Sequence, residues 1–463
     1  MTRRNWIYAL CAAAVAAAAL IIGIFAYRER TDIPDWTFAF YLDGSGSLLL
    51  EQQRNLREII QGSRGLQQAN VIVYLDRGPA PKAPMFYAWK GPRIFQVTGA
   101  YKETLTHPVQ PGLPRSVEKR RFVDLLLKGL SADDARLFER HYTLRKGRYV
   151  LTSKTSAPGQ EQAMMAALLR SGYLSDPNAP SETVSPESMS RFFSLVRDNY
   201  PARHYAFFIA GHGLGWFSGR SMHASPQGTE ANPSPNKSFN AEVIRRGLIH
   251  NEPDILCLDL CLMADVESVY QLRHSADYLV MGQGPLPSGG QDYEYLFRSI
   301  PAENAARPEA MARAVFASSA RALDKSRLNS AVSLIKTGPA IDTFITDFSH
   351  MLFSAGAQRI TELHEGSYTR LPSWGGLAQE MIDLKSFIAA ARQETGTKGP
   401  HPSAFLISTH STSKKVSGLS IYYPRDTKIY RMTRDEYAGL DFLQATGGVW
   451  QNILDRKHGR SHD

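Results

Sequence analysis

The chain is expected to be an α/β protein with a mostly parallel central sheet, preceded by one N-terminal transmembrane helix. Three observations predict this: a long uncharged run at the start, a strand-helix-strand pattern behind it, and two short apolar runs that stop abruptly at His212 and Cys261. Strands buried on both faces lose their polar alternation, and strands joined through helices pair in parallel.

The first run, Trp6 to Tyr27, has 22 residues without a charge. As a helix it would be about 33 Å long, enough to cross a bilayer. A cleaved signal would carry a shorter apolar region and a small-x-small exit. Here the run leaves through Ile24-Phe25-Ala26-Tyr27, so residues 1–30 read as an uncleaved signal anchor. Thr2-Arg3-Arg4-Asn5-Trp6 also resembles a twin-arginine export signal, while Arg28 and Arg30 balance Arg3 and Arg4 across the run. The expected location is a bacterial-type inner membrane, crossed once, with the body outside the cytoplasm.

Residues 31–300 are expected to form the core that carries His212 and Cys261, and 301–463 to complete its sheet or form a subdomain of helices and strands. A content of 43% hydrophobic and 21% charged residues is that of a globular protein. The net charge of +9 is spread along the chain, clustering only at Glu118-Lys119-Arg120-Arg121 and from Arg456 to Arg460. Nucleic acid is therefore not an expected partner.

Trp36 to Leu42 predicts the first strand, which runs into Asp43-Gly44-Ser45-Gly46-Ser47. Ser47 is placed to cap a helix from Leu48 to Gln61, with Gly62 as its stop. Asn70 to Leu75 predicts a second strand, and Arg93 to Val97 an extended piece. Glu118 to Lys128 and Ala132 to His141 have helical spacing. Ser185 and Pro186 open a helix carrying Met189, Phe192, Phe193 and Val196 on one side, which leads into the strand Tyr205 to Ala210. Ser218 to Ser238, rich in Ser, Pro, Gly and Asn, predicts a surface loop. Ile255 to Leu260 predicts the strand that delivers Cys261. Val266, Val269, Tyr270 and Leu272 then line a helix expected to begin near that cysteine and favour its thiolate. Later come a helix opened by Pro308, a strand from Ser330 to Ile335, helices from Pro339 to Phe353 and Leu384 to Arg392, and a strand from Gly418 to Tyr423.

Of the three cysteines, Cys11 lies in the apolar run. Cys257 and Cys261, about 13 Å apart on an extended strand, are out of disulfide reach. Cys257 reads as a small buried hydrophobe and Cys261 as a free thiol with a task. His212 and Cys261 lie 49 positions apart, each at a strand end flanked by small or acidic residues. Brought together, they would form a dyad: the thiolate attacks an acyl carbon and the imidazole handles the proton. The amides of Gly213 and Cys261 would hold the oxyanion.

The sequence resembles the clostripain family of cysteine peptidases, relatives of the caspases. The resemblance rests on Tyr41-Leu42-Asp43-Gly44, Asn199-Tyr200-Pro201-Ala202, His212-Gly213-Leu214-Gly215, Asp259-Leu260-Cys261-Leu262-Met263, Ala276-Asp277-Tyr278 and Gly418-Leu419-Ser420-Ile421-Tyr422-Tyr423-Pro424. It implies a caspase-like α/β sandwich, peptide or protein substrates, and a dyad of His212 and Cys261 that needs no cofactor for its chemistry. It also implies cleavage after basic residues and activation by a cut between histidine and cysteine, in some members with calcium. Arg220 and Lys237 are the candidate self-cleavage sites. Asp259 matches one acid of the family's substrate pocket, whereas Gly289 stands where a second acid is common. Asp292 could compensate for it. Two alternatives stay open. Asp43-Gly44-Ser45-Gly46-Ser47 fits the Asp-x-Ser-x-Ser metal signature of von Willebrand factor type A binding modules, and a catalytically silent peptidase homologue could act as a scaffold.

Overall fold

The computed structural model describes residues 33–45, 47–64, 66, 69–77, 92–97, 116–119, 123, 131–152, 163–164, 167, 183–218, 238–300, 307–372 and 379–459. The expected anchor over 1–30 lies outside them. Among the described residues no helix is long and apolar enough to cross a membrane.

Eight strands make the central sheet: β1 (Trp36–Asp43), β2 (Ala69–Asp76), β3 (Pro92–Val97), β7 (His204–Ala210), β8 (Ile255–Asp259), β9 (Tyr278–Gly282), β10 (Ala331–Lys336) and β12 (Leu406–Ser411). Their order is β12-β10-β9-β8-β7-β1-β2-β3. The inner pairs β1 with β2, β1 with β7, β7 with β8 and β8 with β9 are parallel; the outer pairs are antiparallel. From β1 the chain first runs outward through β2 and β3, then returns to β1's other side with β7. The strand order therefore reverses between β1 and β7, where open α/β sheets leave a crevice at their carboxyl ends.

Both faces of the sheet are covered, which explains the unbroken apolar runs. On one face Ala39, Tyr41, Phe207, Ile209, Leu256 and Leu258 join Met189, Phe192, Phe193 and Val196 of the helix Pro186–Asn199, and Phe193 stacks on Phe207 at 4.2 Å. On the other, Phe38, Phe40, Leu42, Phe208 and Cys257 meet Leu56, Ile59 and Ile60 of α1 (Leu49–Gly62), with Phe40 stacked on Phe208 at 4.4 Å. Burial of one such phenyl ring stabilises the fold by about 1.5 to 3 kcal/mol.

β10 and β12 extend the sheet, while β11 (Met381–Asp383) and β13 (Ser420–Tyr422) form a small antiparallel pair among helices. Three expectations need correction. Ser47 does not cap α1, whose N-cap is Leu48 without a side-chain bond. Glu118 ends a strand, β4 (Ser116–Glu118), because it pairs with β6 (Arg148–Leu151), itself in a hairpin with β5 (Tyr142–Arg145). Of the helix expected over 118–128, only Lys119 and Val123 lie among the described residues and are helical. The helix after Cys261, Val266–Gln271, starts too late to stabilise a thiolate at that residue: Asp265 is its N-cap and accepts from the Ser268 amide at 2.7 Å.

Candidate active site

β7 and β8 pair in parallel with Ala210 opposite Asp259. His212 and Cys261 thus stand at the same offset, two residues past a matched pair, on strands about 4.8 Å apart. The two turns are locked together. A Cβ on Gly213 would lie 2.6 Å from the Cys261 carbonyl oxygen and 3.0 Å from its nitrogen, so only glycine allows this approach. Phe239 ties down the histidine turn, donating its amide to the His212 carbonyl at 2.8 Å and accepting from the Leu214 amide at 3.1 Å. Among the described residues, the amides of Gly213 and Cys261 have no protein acceptor. These are the two donors an oxyanion would need.

Cys261 is half-buried, and its thiol accepts from the Leu286 amide at 3.4 Å. Burial pushes the thiol pKa up; the Leu286 amide works against this and the nearby Asp259 carboxylate adds to it. Leu262 follows with φ of 63°, a left-handed conformation costly for a leucine, and donates its amide to the Gly284 carbonyl at 3.0 Å. Cys257 is buried and free, as expected.

His212 lies between β8 on one flank and β1 on the other. On the β1 side its Nε2 meets Ser47 Oγ at 2.9 Å. Asp43, buried at the end of β1, accepts from the Ser45 amide at 3.0 Å and the Ser45 hydroxyl at 2.5 Å. Its carboxyl is raised by burial, with the Ser45 bonds and the neighbouring His212 pulling it back. Both hydroxyls of the Asp-x-Ser-x-Ser stretch are therefore engaged, one by Asp43 and one by the imidazole. Among the described residues, no three His, Cys, Asp or Glu side chains gather to hold a metal. The sequence reading placed Ser47 only as a helix cap and in the metal signature, not beside His212; the signal was a hydroxyl just past the strand where the sheet order reverses.

Asp259 ends β8 beneath a narrow cleft also lined by Leu286, Pro287, Gly290 and Gln291. Its Oδ2 accepts from Tyr293 Oη at 2.9 Å and from the Gln291 amide at 3.0 Å. Burial raises its carboxyl to about 6, opposed by these two donors and assisted by Glu58. A Cβ on Gly289 would lie 3.3 Å from Arg54 Nη1. Asp292, expected to compensate for Gly289, is engaged elsewhere. It caps the helix Tyr293–Arg298 and is held by Arg321 at 3.0 Å and Lys325 at 2.5 Å. Against the cost of partial burial, these partners hold its carboxyl below the usual range. Arg220 and Lys237 lie outside the described residues.

The sequence model described as the clostripain family matches residues 40–393. The chain belongs to the clostripain family. As a member it is a cysteine-type endopeptidase acting on peptide or protein substrates, and the binding-module alternative falls away. Its fold is similar to that of an inactive zymogen C11 protease from Parabacteroides distasonis, with a TM-score of 0.55 at 14% identity over 89% of this chain and 98% of that one. It is also similar to a secreted C11 cysteine protease from Bacteroides thetaiotaomicron in complex with an irreversible peptide inhibitor, with a TM-score of 0.53 at 16% identity over 90% and 99% of the two chains. A further structure of a secreted C11 protease from the same organism gives a TM-score of 0.52 at 12% identity over 89% and 99%. No curated protein matches the chain.

Proposed function

We propose that this clostripain-family endopeptidase works through Cys261 as nucleophile and His212 as general acid and base, from a body anchored outside the cytoplasm by Trp6 to Tyr27. The observation that carries the dyad is the β7–β8 register, with both side chains two residues past the pair Ala210 and Asp259. The thiol, kept protonated by burial, gives its proton to His212 as sulfur attacks the scissile carbonyl carbon. The carbonyl π bond opens onto the amides of Gly213 and Cys261. As the C–N bond breaks, the proton passes to the leaving amine, leaving a thioester that water hydrolyses with His212 again as base.

In this reading the side chain before the cut is basic and enters the cleft above Asp259. With its carboxyl raised to about 6, the pocket is about half charged at that pH and gains charge as pH rises further. Cleavage within 218–238, at Arg220 or Lys237, is the proposed self-activation, with calcium as a condition to be varied.

The test is full-length protein in detergent, as wild type, Cys261→Ala and His212→Ala, followed by intact mass and by peptide panels with basic, acidic and neutral residues before the bond, with and without calcium. Both variants should keep the wild-type circular dichroism spectrum and lose activity by at least about 10³-fold. Cleavage by Cys261→Ala at the wild-type rate would reject the dyad, and preferred cutting after neutral or acidic residues would reject the role given to Asp259.

A further inference from the structure

We infer that Ser47 is a positioning residue: its hydroxyl accepts the Nε2–H of His212, fixing the tautomer in which Nδ1 carries the lone pair that takes the Cys261 proton. The inference rests on the dyad proposed above.

Sheet order supplies the geometry. β7 lies between β1 and β8, so His212 has the Asp43–Ser47 turn on one flank and Cys261 on the other. Nε2 is taken by Ser47 at 2.9 Å, and among the described residues Nδ1 has no hydrogen-bond partner. A neutral imidazole has one N–H and one bare nitrogen, and the bond made by one nitrogen decides the state of the other. If Ser47 donated to Nε2, the proton would sit on Nδ1 and the ring could not receive another there. With Nε2–H donating to Ser47 Oγ, the thiol proton moves to Nδ1, and the imidazolium formed keeps its Ser47 bond. That imidazolium also lies in the field of the Asp43 carboxylate, itself held by Ser45. The same proton then leaves Nδ1 for the departing amine, so each step balances.

The sequence order agrees with this role. Ser47 leaves the capping of α1 undone, since Leu48 is the N-cap and makes no side-chain bond. A hydroxyl at that place is free to serve the imidazole.

The experiment compares Ser47→Ala and Ser47→Thr with wild type, His212→Ala and Cys261→Ala in the full-length protein. Steady-state kinetics on one cleaved peptide is paired with ¹⁵N spectra of histidine-labelled protein, in which His212 is identified by its loss in His212→Ala. Ser47→Ala should lower kcat roughly 10- to 100-fold with little change in KM. It should also shift the His212 nitrogens away from the Nε2–H form, and Ser47→Thr should restore both. Equal or higher kcat in Ser47→Ala, or an unchanged His212 tautomer, overturns the role of Ser47. Activity retained in Cys261→Ala or His212→Ala overturns the dyad instead, so the two failures are told apart.

Discussion

At Gly213 the backbone of the histidine turn touches that of the cysteine turn, and a methyl group would come within 2.7 Å of the Leu260 Cβ as well as onto the Cys261 carbonyl. Gly213→Ala should therefore push the two turns apart. Since a displacement of about 1 Å at a reacting group costs on the order of 10² in rate, kcat should fall by that order while melting temperature falls by only a few degrees. A variant with wild-type kcat would show that the turns have slack. The placement of His212, Cys261, Gly213 and Asp259 at strand ends was legible in the sequence because each follows a buried apolar run, and strand ends are where such sheets expose chemistry. The contact of Ser47 with His212 was not legible. Capping signals are local, whereas its bond to His212 spans 165 positions and exists only because β7 returns beside β1. The partners of Asp292 were not legible for a similar reason: nothing nearby in the sequence announces Arg321 and Lys325.

Among the elements, the short helix Val266–Gln271 behind the cysteine turn carries two buried acids. Asp265 caps it, and Glu267 accepts from the Tyr422 amide at 2.9 Å and Tyr437 Oη at 2.6 Å. Burial raises both carboxyls, and each works on the other. An acid whose pKa is higher in the folded than in the unfolded chain binds more protons folded. Stability is then greatest below the ordinary carboxylate value and declines as pH rises from there through the raised range. In an inactive Cys261→Ala background, melting temperature should fall between pH 5 and pH 8. Adding Glu267→Gln should flatten that fall by roughly 2 to 4 °C, and an undiminished slope would mean the pair stays ionised. Of the buried parallel strands, β1, β2, β7 and β8 were read from nearly unbroken runs such as Tyr205 to Ala210, whereas β9, equally buried and five residues long, was not. The edge strand β12 and the β5–β6 hairpin were missed because they are mostly half-exposed or exposed and mix polar with apolar residues. Edge position removes the hydrophobic signal that burial on two faces creates.

Across the whole molecule, the chain's last third is fastened to the site. Gln283 donates to Asp383 at 3.0 Å and to the Leu419 carbonyl at 2.7 Å, and the Ser420 amide donates to Ala264 at 3.0 Å. Trp450 Nε1 donates to Tyr437 Oη at 2.9 Å, continuing the Glu267 contact to the C-terminal helix Val449–Lys457. Residue 300 is a boundary in sequence only, because β10 completes the sheet beside β9. The β7–β8 ladder carries a further consequence. The covalent link between these strands runs through 218–238, but their attachment is the ladder and two apolar layers. Severing that link would leave two polypeptides in one particle. Protein nicked there should separate into two masses under denaturing conditions yet elute as one species from a native column, with His212 on one polypeptide and Cys261 on the other. If the halves part on the native column, each active site would last only as long as its peptide link stayed whole.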